Sequence, residues 1–245
     1  MDAPVLLFVA DPAGDQRGDG GYLLPGTLSN LEVASLDLRS FAVRNEGGNL
    51  KLEVGMAALE NPLRAPVGFS VAVLDVFIKT APGGDERLAD TGFVTPSNQG
   101  WQHHLSISPL KSTFQKWDPS GGVEVQEGAF QVQTQGTTVH ISTSLPAGQY
   151  QYWVMVSVFD PLTPTGVEAP SLGGNPSHLR SSLQNAPVPV DVLLAGEQQP
   201  VYREGTLPAV GRFRDGRPWW LLLLGGIGMA GAFWATLQLW RRENR

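Results

Sequence analysis

Apolar residues recur through the first two hundred positions in short runs, and several of those runs alternate with polar residues. LKLEV (50–54) alternates at every position, the period of a strand with one face buried. FSVAVLDVFI (69–78) is apolar almost throughout, which predicts a strand covered on both faces. By the same reasoning, strands are predicted at VLLFVA (5–10), LEVASLDLRSFAVRNEG (31–47), LKLEVGMA (50–57), FSVAVLDVFIKT (69–80), HHLSIS (103–108), YQYWVMVSVFD (150–160) and VPVDVLLA (188–195). More than one strand is expected in 123–144. Gly- and Pro-bearing breaks such as APGGDE, DPSGG and LPAG separate the runs. No long amphipathic helical pattern precedes residue 200. The expected fold is all-β, an antiparallel β-sandwich of immunoglobulin-like or jelly-roll type over residues 1–195.

The pattern changes after that. Residues 196–218 carry Gly, Pro and charge and read as a linker. From Trp219 to Trp240 no charged residue occurs, and Arg217 and Arg241-Arg242 bound the stretch. As a helix it would be roughly 33 Å long, enough to cross the hydrocarbon core. Trp219, Trp220 and Trp240 stand at its ends, where indoles favour the membrane interface. A transmembrane helix over 219–240 is therefore expected, with 241–245 as a basic cytoplasmic tail and the main domain extracytoplasmic. The opening MDAPVLLFVADP has no basic region and too short an apolar run for a signal peptide, so either the start lies further upstream, which is the expectation, or the chain is tail-anchored with its domain inside.

Composition narrows the function. The net charge of −6 argues against nucleic acid, whose phosphates demand a basic face. With no Cys there are no disulfides, no thiol nucleophile and no Cys-ligated zinc. His103, His104, His140 and His178 sit in no recognisable catalytic motif, and no G-x-S-x-G, H-E-x-x-H or phosphate loop occurs. A non-enzymatic role is expected.

One stretch remains, FVADPAGDQRGDGGYLLPG (8–26), with Asp11, Asp15 and Asp19 spaced four apart among glycines. Such a loop can offer Ca²⁺ carboxylate and carbonyl oxygens, although the spacing is not that of an EF-hand. It can equally be a run of turns in which each Asp bonds its own backbone. Residue types leave both readings open.

That opening, followed by LEVASLDLRSFAVRNEGG and LENPLRAPVGFSVAVLDVFI, and later by YQYWVMVSVFD with an irregular Gly/Pro loop, resembles the C-terminal domain of glucodextranase. This is a β-sandwich module related to the DOMON and family 9 carbohydrate-binding folds. The resemblance covers roughly residues 5–195. It implies a non-catalytic module of secreted or surface-bound glycan-active proteins, one that binds carbohydrate or holds an enzyme at the cell surface. It also implies a structural Ca²⁺ near the N-terminal loop, held by Asp11 and Asp15, with Asp37 or Asp160 contributing if the strands bring them close. Within the 245 residues no stretch is expected to form a catalytic domain, and the expected membrane helix follows the module.

Sugar binding calls for exposed aromatic platforms, and Trp101, Trp117, Tyr150 and Tyr152 are the candidates. Trp153, inside YWVMVSVF, reads as core. Two functions are compatible with the sequence. One is a membrane-anchored, extracytoplasmic module that binds carbohydrate or cell-envelope polysaccharide. The other is a structural or assembly protein of the envelope whose partners are envelope proteins.

Overall fold

The computed structural model describes residues 3–214 apart from 19, 121 and 128, together with 225, 227–229, 231 and 234. It is a mostly β structure. Ten long strands are β1 (Val5–Ala10), β2 (Leu38–Glu46), β3 (Asn49–Met56), β4 (Ala72–Lys79), β5 (His103–Ile107), β6 (Ser112–Trp117), β7 (Val123–Glu127), β8 (Phe130–Gln135), β9 (Thr138–Pro146) and β10 (Gln151–Val158). Two short ones, β11 (Asp191–Val192) and β12 (Val210–Gly211), both pair with β10. One sheet runs β1-β2-β3-β9-β8; the other runs β11-β10-β4-β5-β6-β7, with β12 beside β10. Every ladder in these two sheets is antiparallel.

The two sheets share one apolar core, the arrangement of a β-sandwich. Phe41 of β2 meets Tyr152 of β10 across it, ring centroids 5.3 Å apart. β4 is buried along its whole length, as its unbroken apolar run predicts, because it lies mid-sheet between β10 and β5 and is covered on both faces. Leu74, Val76 and Ile78 point into the shared core. Phe77, one step out of phase, packs on the opposite face against Trp101.

Several segments depart from the pattern-based reading. Residues 31–37 begin as a short helix, α1 (Asn30–Ala34), rather than a strand. Ser29 and Glu32 form a capping box: the Glu32 N–H donates to Ser29 Oγ, and the Ser29 N–H donates to Glu32 Oε2 at 2.8 Å. The S-x-x-E spacing at 29–32 is its signature in the sequence, one that the apolar pattern alone does not show. β6 went unpredicted because STFQKW has too few apolar residues to show a period. VPVDVLLA shortens to the two residues of β11, which pair with β10 at Met155 and Val156.

The compact domain also extends past its expected end, to Phe213. Residues 196–213 carry the helix α2 (Gln199–Glu204) and β12, and they bury Val201, Tyr202 and Leu207 against the sandwich. What reads as a linker is partly structural wall.

Among the described residues no helix is long and apolar enough to cross a membrane. The expected span Trp219–Trp240 lies outside those residues except for the scattered positions named above.

Candidate functional site

The four aromatic candidates fall into different environments. Trp101 has no exposed surface; its Nε1 donates to the Arg87 carbonyl at 2.8 Å and its ring meets Phe77 edge-on. The polar, glycine-rich context that suggested exposure has another cause. Gly84 and Gly100 cross backbone to backbone, so closely that a Cβ on Gly84 would lie 2.4 Å from the Gly100 carbonyl carbon. That crossing folds the loop inward and drives the indole into the sheet. Tyr152 is buried too, in the shared core, with no hydrogen-bond partner for its hydroxyl. Neither ring offers a face to a sugar, which corrects the expectation for both. Trp117 and Tyr150 are half-buried at the ends of β6 and just before β10. Tyr150 lines a cleft of 490 Å³ with Leu6, Leu7 and Arg212.

Replacing Trp101 by Ala is therefore expected to act on stability, at about 3–5 kcal/mol for an aromatic cut out of a packed core. A shift of the urea midpoint checks this; a variant that melts like the native chain would contradict the burial.

The acidic residues gather at one place. Asp11 follows β1, Asp15 lies in the next turn, Asp37 precedes β2, and Asp191 opens β11 on the other sheet. One carboxylate oxygen from each of Asp11, Asp15 and Asp191 lies within 4.8 Å of the other two. The surrounding donors are few and well placed. The Leu194 N–H donates to Asp11 Oδ1 at 2.8 Å, and the Leu38 N–H to Asp191 Oδ2 at 2.8 Å. Gln198, the residue before α2, donates from Nε2 to both Asp15 Oδ2 (2.8 Å) and Asp191 Oδ1 (2.7 Å). The centre thus joins β1, both sheets and the segment that carries α2.

Asp37 stands beside this group, receiving the Gly14 N–H at 3.2 Å on each carboxylate oxygen and lying 3.5 Å from Arg39 Nη1. Asp160 is not part of it. Its Oδ1 accepts the Leu162 N–H in a local turn beyond the end of β10. Asp191 occupies the role expected of Asp160, because β11 pairs with the middle of β10, at Met155 and Val156. A lone Asp in the apolar run VPVDVLLA was the available signal, since a buried carboxylate needs a partner. Asp19 lies outside the described residues.

Burial dominates the electrostatics. It pushes the Asp11 carboxyl up to about 8; the Leu194 N–H opposes the shift, and the neighbouring Asp15 and Asp37 carboxylates add to it. Asp15 and Asp37 rise for the same principal reason. Asp191, with no exposed surface, is likewise raised well above the ordinary carboxylate range, by burial first and then by the neighbouring Asp11.

Protons are one remedy for such crowding, and a cation is the other. Asp11 Oδ2, Asp15 Oδ1 and Gln198 Oε1 are buried with no hydrogen-bond partner. Unpaired acceptor oxygens packed this way are costly unless something positive completes them. Two oxygens each about 2.4 Å from a common Ca²⁺ can lie up to about 4.8 Å apart, so the spacing suits that ion. The donors are all hard oxygens, which favours Ca²⁺ or Mg²⁺ over softer transition metals. A groove of 680 Å³ lined by Gly14, Asp15, Arg17 and Gln198 gives an entry path. The residues present fit a calcium ion.

The family model for the C-terminal, SLH-like binding module of glucodextranase matches residues 6–169. The chain belongs to this family. The matched family is a binding module and not a catalytic domain. No curated protein matches the chain. The matched range holds Asp11, Asp15 and Asp37 and stops short of Asp191 and Gln198. The acidic centre of this glucodextranase-type module is completed by chain beyond the match.

Proposed function

We propose that the chain is a non-catalytic carbohydrate-binding domain, held together at its N-terminal loop by a structural Ca²⁺ and kept at the outer side of a cell membrane by Trp219–Trp240. Membership in a binding-module family carries the functional half of this reading. The unpaired acceptors of Asp11, Asp15 and Gln198 support the calcium. The uncharged, Trp-flanked stretch supports the anchor. The sandwich is read as the DOMON-like type with carbohydrate or envelope polysaccharide as its ligand, and the ion contributes stiffness rather than chemistry. Trp117 and Tyr150 are the remaining aromatic platforms, since each keeps part of its ring in solvent.

A second reading, assembly with envelope proteins, draws on β1. This edge strand leaves Val5, Leu6 and Phe8 exposed, the last at 64%. Unpaired apolar edges invite another protein.

The test uses the full chain in mild detergent, run in affinity gels containing dextran, soluble starch or purified envelope polysaccharide, with Ca²⁺ and then with EGTA. Retardation by at least one polysaccharide is expected, weakened by Trp117→Ala or Tyr150→Ala. Unretarded migration on all of them would remove the carbohydrate reading in favour of the β1 edge, for which crosslinking in membranes is the next experiment.

A further inference from the structure

On the face of the second sheet turned away from the shared core, four neighbouring strands place polar side chains side by side. Asp75 of β4 stands opposite Ser106 of β5, and Ser106 opposite Thr113 of β6; His104 of β5 stands opposite Gln115 of β6. Ser157 of β10 lies beside them. Together they floor a cavity of 260 Å³, rimmed by the loops Ala89–Thr91 and Pro164–Val167. β4 and β10 are otherwise apolar and buried nearly throughout, so packing alone does not account for six polar side chains gathered at this one spot.

The floor is rigid. His104 Nε2 donates to Asp75 Oδ1 at 2.8 Å, and Nδ1 lies 3.3 Å from the Gln115 side-chain amide. The imidazole stacks on Phe77 with centroids 3.8 Å apart. Both ring nitrogens are engaged, so the pair has no free base for a nucleophile and acts as a fixture. Other polar groups are unspent: among the described residues, Asp75 Oδ2 and the hydroxyls of Ser106, Thr113 and Ser157 find no hydrogen-bond partner. Asp75 and Ser157 are nonetheless more than nine-tenths buried.

We propose that this cavity binds one neutral sugar ring of a glycan chain. No Lys or Arg lines it, and Asp75 and Asp90 do, which disfavours anions. Hydroxyl donors and acceptors in alternation, on a pre-formed surface, match the hydroxyls of a pyranose. The volume is below the roughly 300–1,000 Å³ of pockets for drug-sized ligands, so it takes one ring. Specificity is expected to be sharp, because a sugar lacking the matching hydroxyl leaves buried polar groups unpaired.

The proposal rests on the carbohydrate reading, and the test separates the two. The full chain in detergent is titrated by saturation-transfer NMR with D-glucose, D-galactose, D-mannose and N-acetyl-D-glucosamine, and by affinity gel with the polysaccharides above. The variants are Ser106→Ala/Thr113→Val, whose hydroxyls the fold does not use, and Ser157→Ala. Expected is binding of one monosaccharide that competes with the polysaccharide, weakened tenfold or more by the double variant at an unchanged melting temperature. Polysaccharide binding that the variants leave intact overturns this site and spares the carbohydrate reading. Absence of any binding to the native chain overturns both.

Discussion

If the acidic centre holds calcium as proposed, chelation is expected to lower the melting temperature, by an amount that grows as the pH is raised from 5 to 8. In the metal-free protein, burial pushes Asp11 up to about 8 and raises Asp15, Asp37 and Asp191 as well. Unfolded, such carboxyls ionise near pH 4. A group whose folded pKa exceeds its unfolded value stabilises the fold fully below the unfolded value, and that contribution disappears as pH rises to the folded one. For Asp11 the window is about pH 4 to 8, on the order of 5 kcal/mol if it titrated alone. The four carboxyls share their protons, so their contributions do not add. A bound calcium ion would replace those protons, so its benefit is expected to be greatest at the alkaline end. At a hundredfold excess over Kd the ion contributes about 2.7 kcal/mol, or roughly 5–10 °C in a domain of this size.

His103 runs the other way. Burial, with Lys116 nearby, pushes its imidazole down to about 4, so stability falls as pH drops from about 6.5 to 4 whether or not calcium is bound. The difference between calcium and EGTA melts at each pH therefore isolates the acidic centre. Asp191→Asn and Asp11→Asn should abolish that difference. Coincident melting curves at pH 8 would show that the centre carries protons and no ion.

Long-range pairing explains which parts of this were legible in the sequence. Strands with a strong period or an unbroken apolar run could be placed closely, β3 to within one residue and β4 to within three at its start and one at its end. β6 could not, because its place in the sheet comes from β5 and β7 on either side rather than from its own side chains. In the acidic centre, Asp11 and Asp15 announce themselves by their spacing in a Gly-rich loop. Asp191 and Gln198 are brought to them by sheet pairing and by α2, across more than 170 positions of chain, and no local pattern encodes that. Trp101 failed for a related reason: its neighbours are polar and its loop rich in turns, yet two glycines cross and fold it inward. The polar cavity over β4, β5 and β6 was invisible because its six residues come from four separate strands.

The segment beyond residue 195 is expected to decide whether the domain folds at all. Chain ending at 195 should fail to hold a cooperative structure, whereas chain ending at 213 should melt sharply. Tyr202 of α2 is buried between Tyr22 and Phe93, with centroids 5.5 and 5.1 Å away, and its hydroxyl donates to the Pro189 carbonyl at 3.0 Å. Leu207 is buried, and its carbonyl accepts the Trp153 Nε1 proton at 2.9 Å. Val201 is buried beside them. Exposing three such side chains costs about 5–9 kcal/mol at roughly 1.5–3 each. Leaving Trp153 Nε1 without an acceptor in the core adds about 1–3. Gln198 goes as well, and with it the amide that bridges Asp15 to Asp191. The total reaches the whole of a typical domain's stability, about 5–15 kcal/mol. Circular dichroism melts of the two truncations read the difference directly. If 1–195 unfolds cooperatively within a few degrees of 1–213, residues 196–213 are the linker that their composition suggests; if it does not, this module needs chain well past the 6–169 match in order to close its core and its acidic centre together.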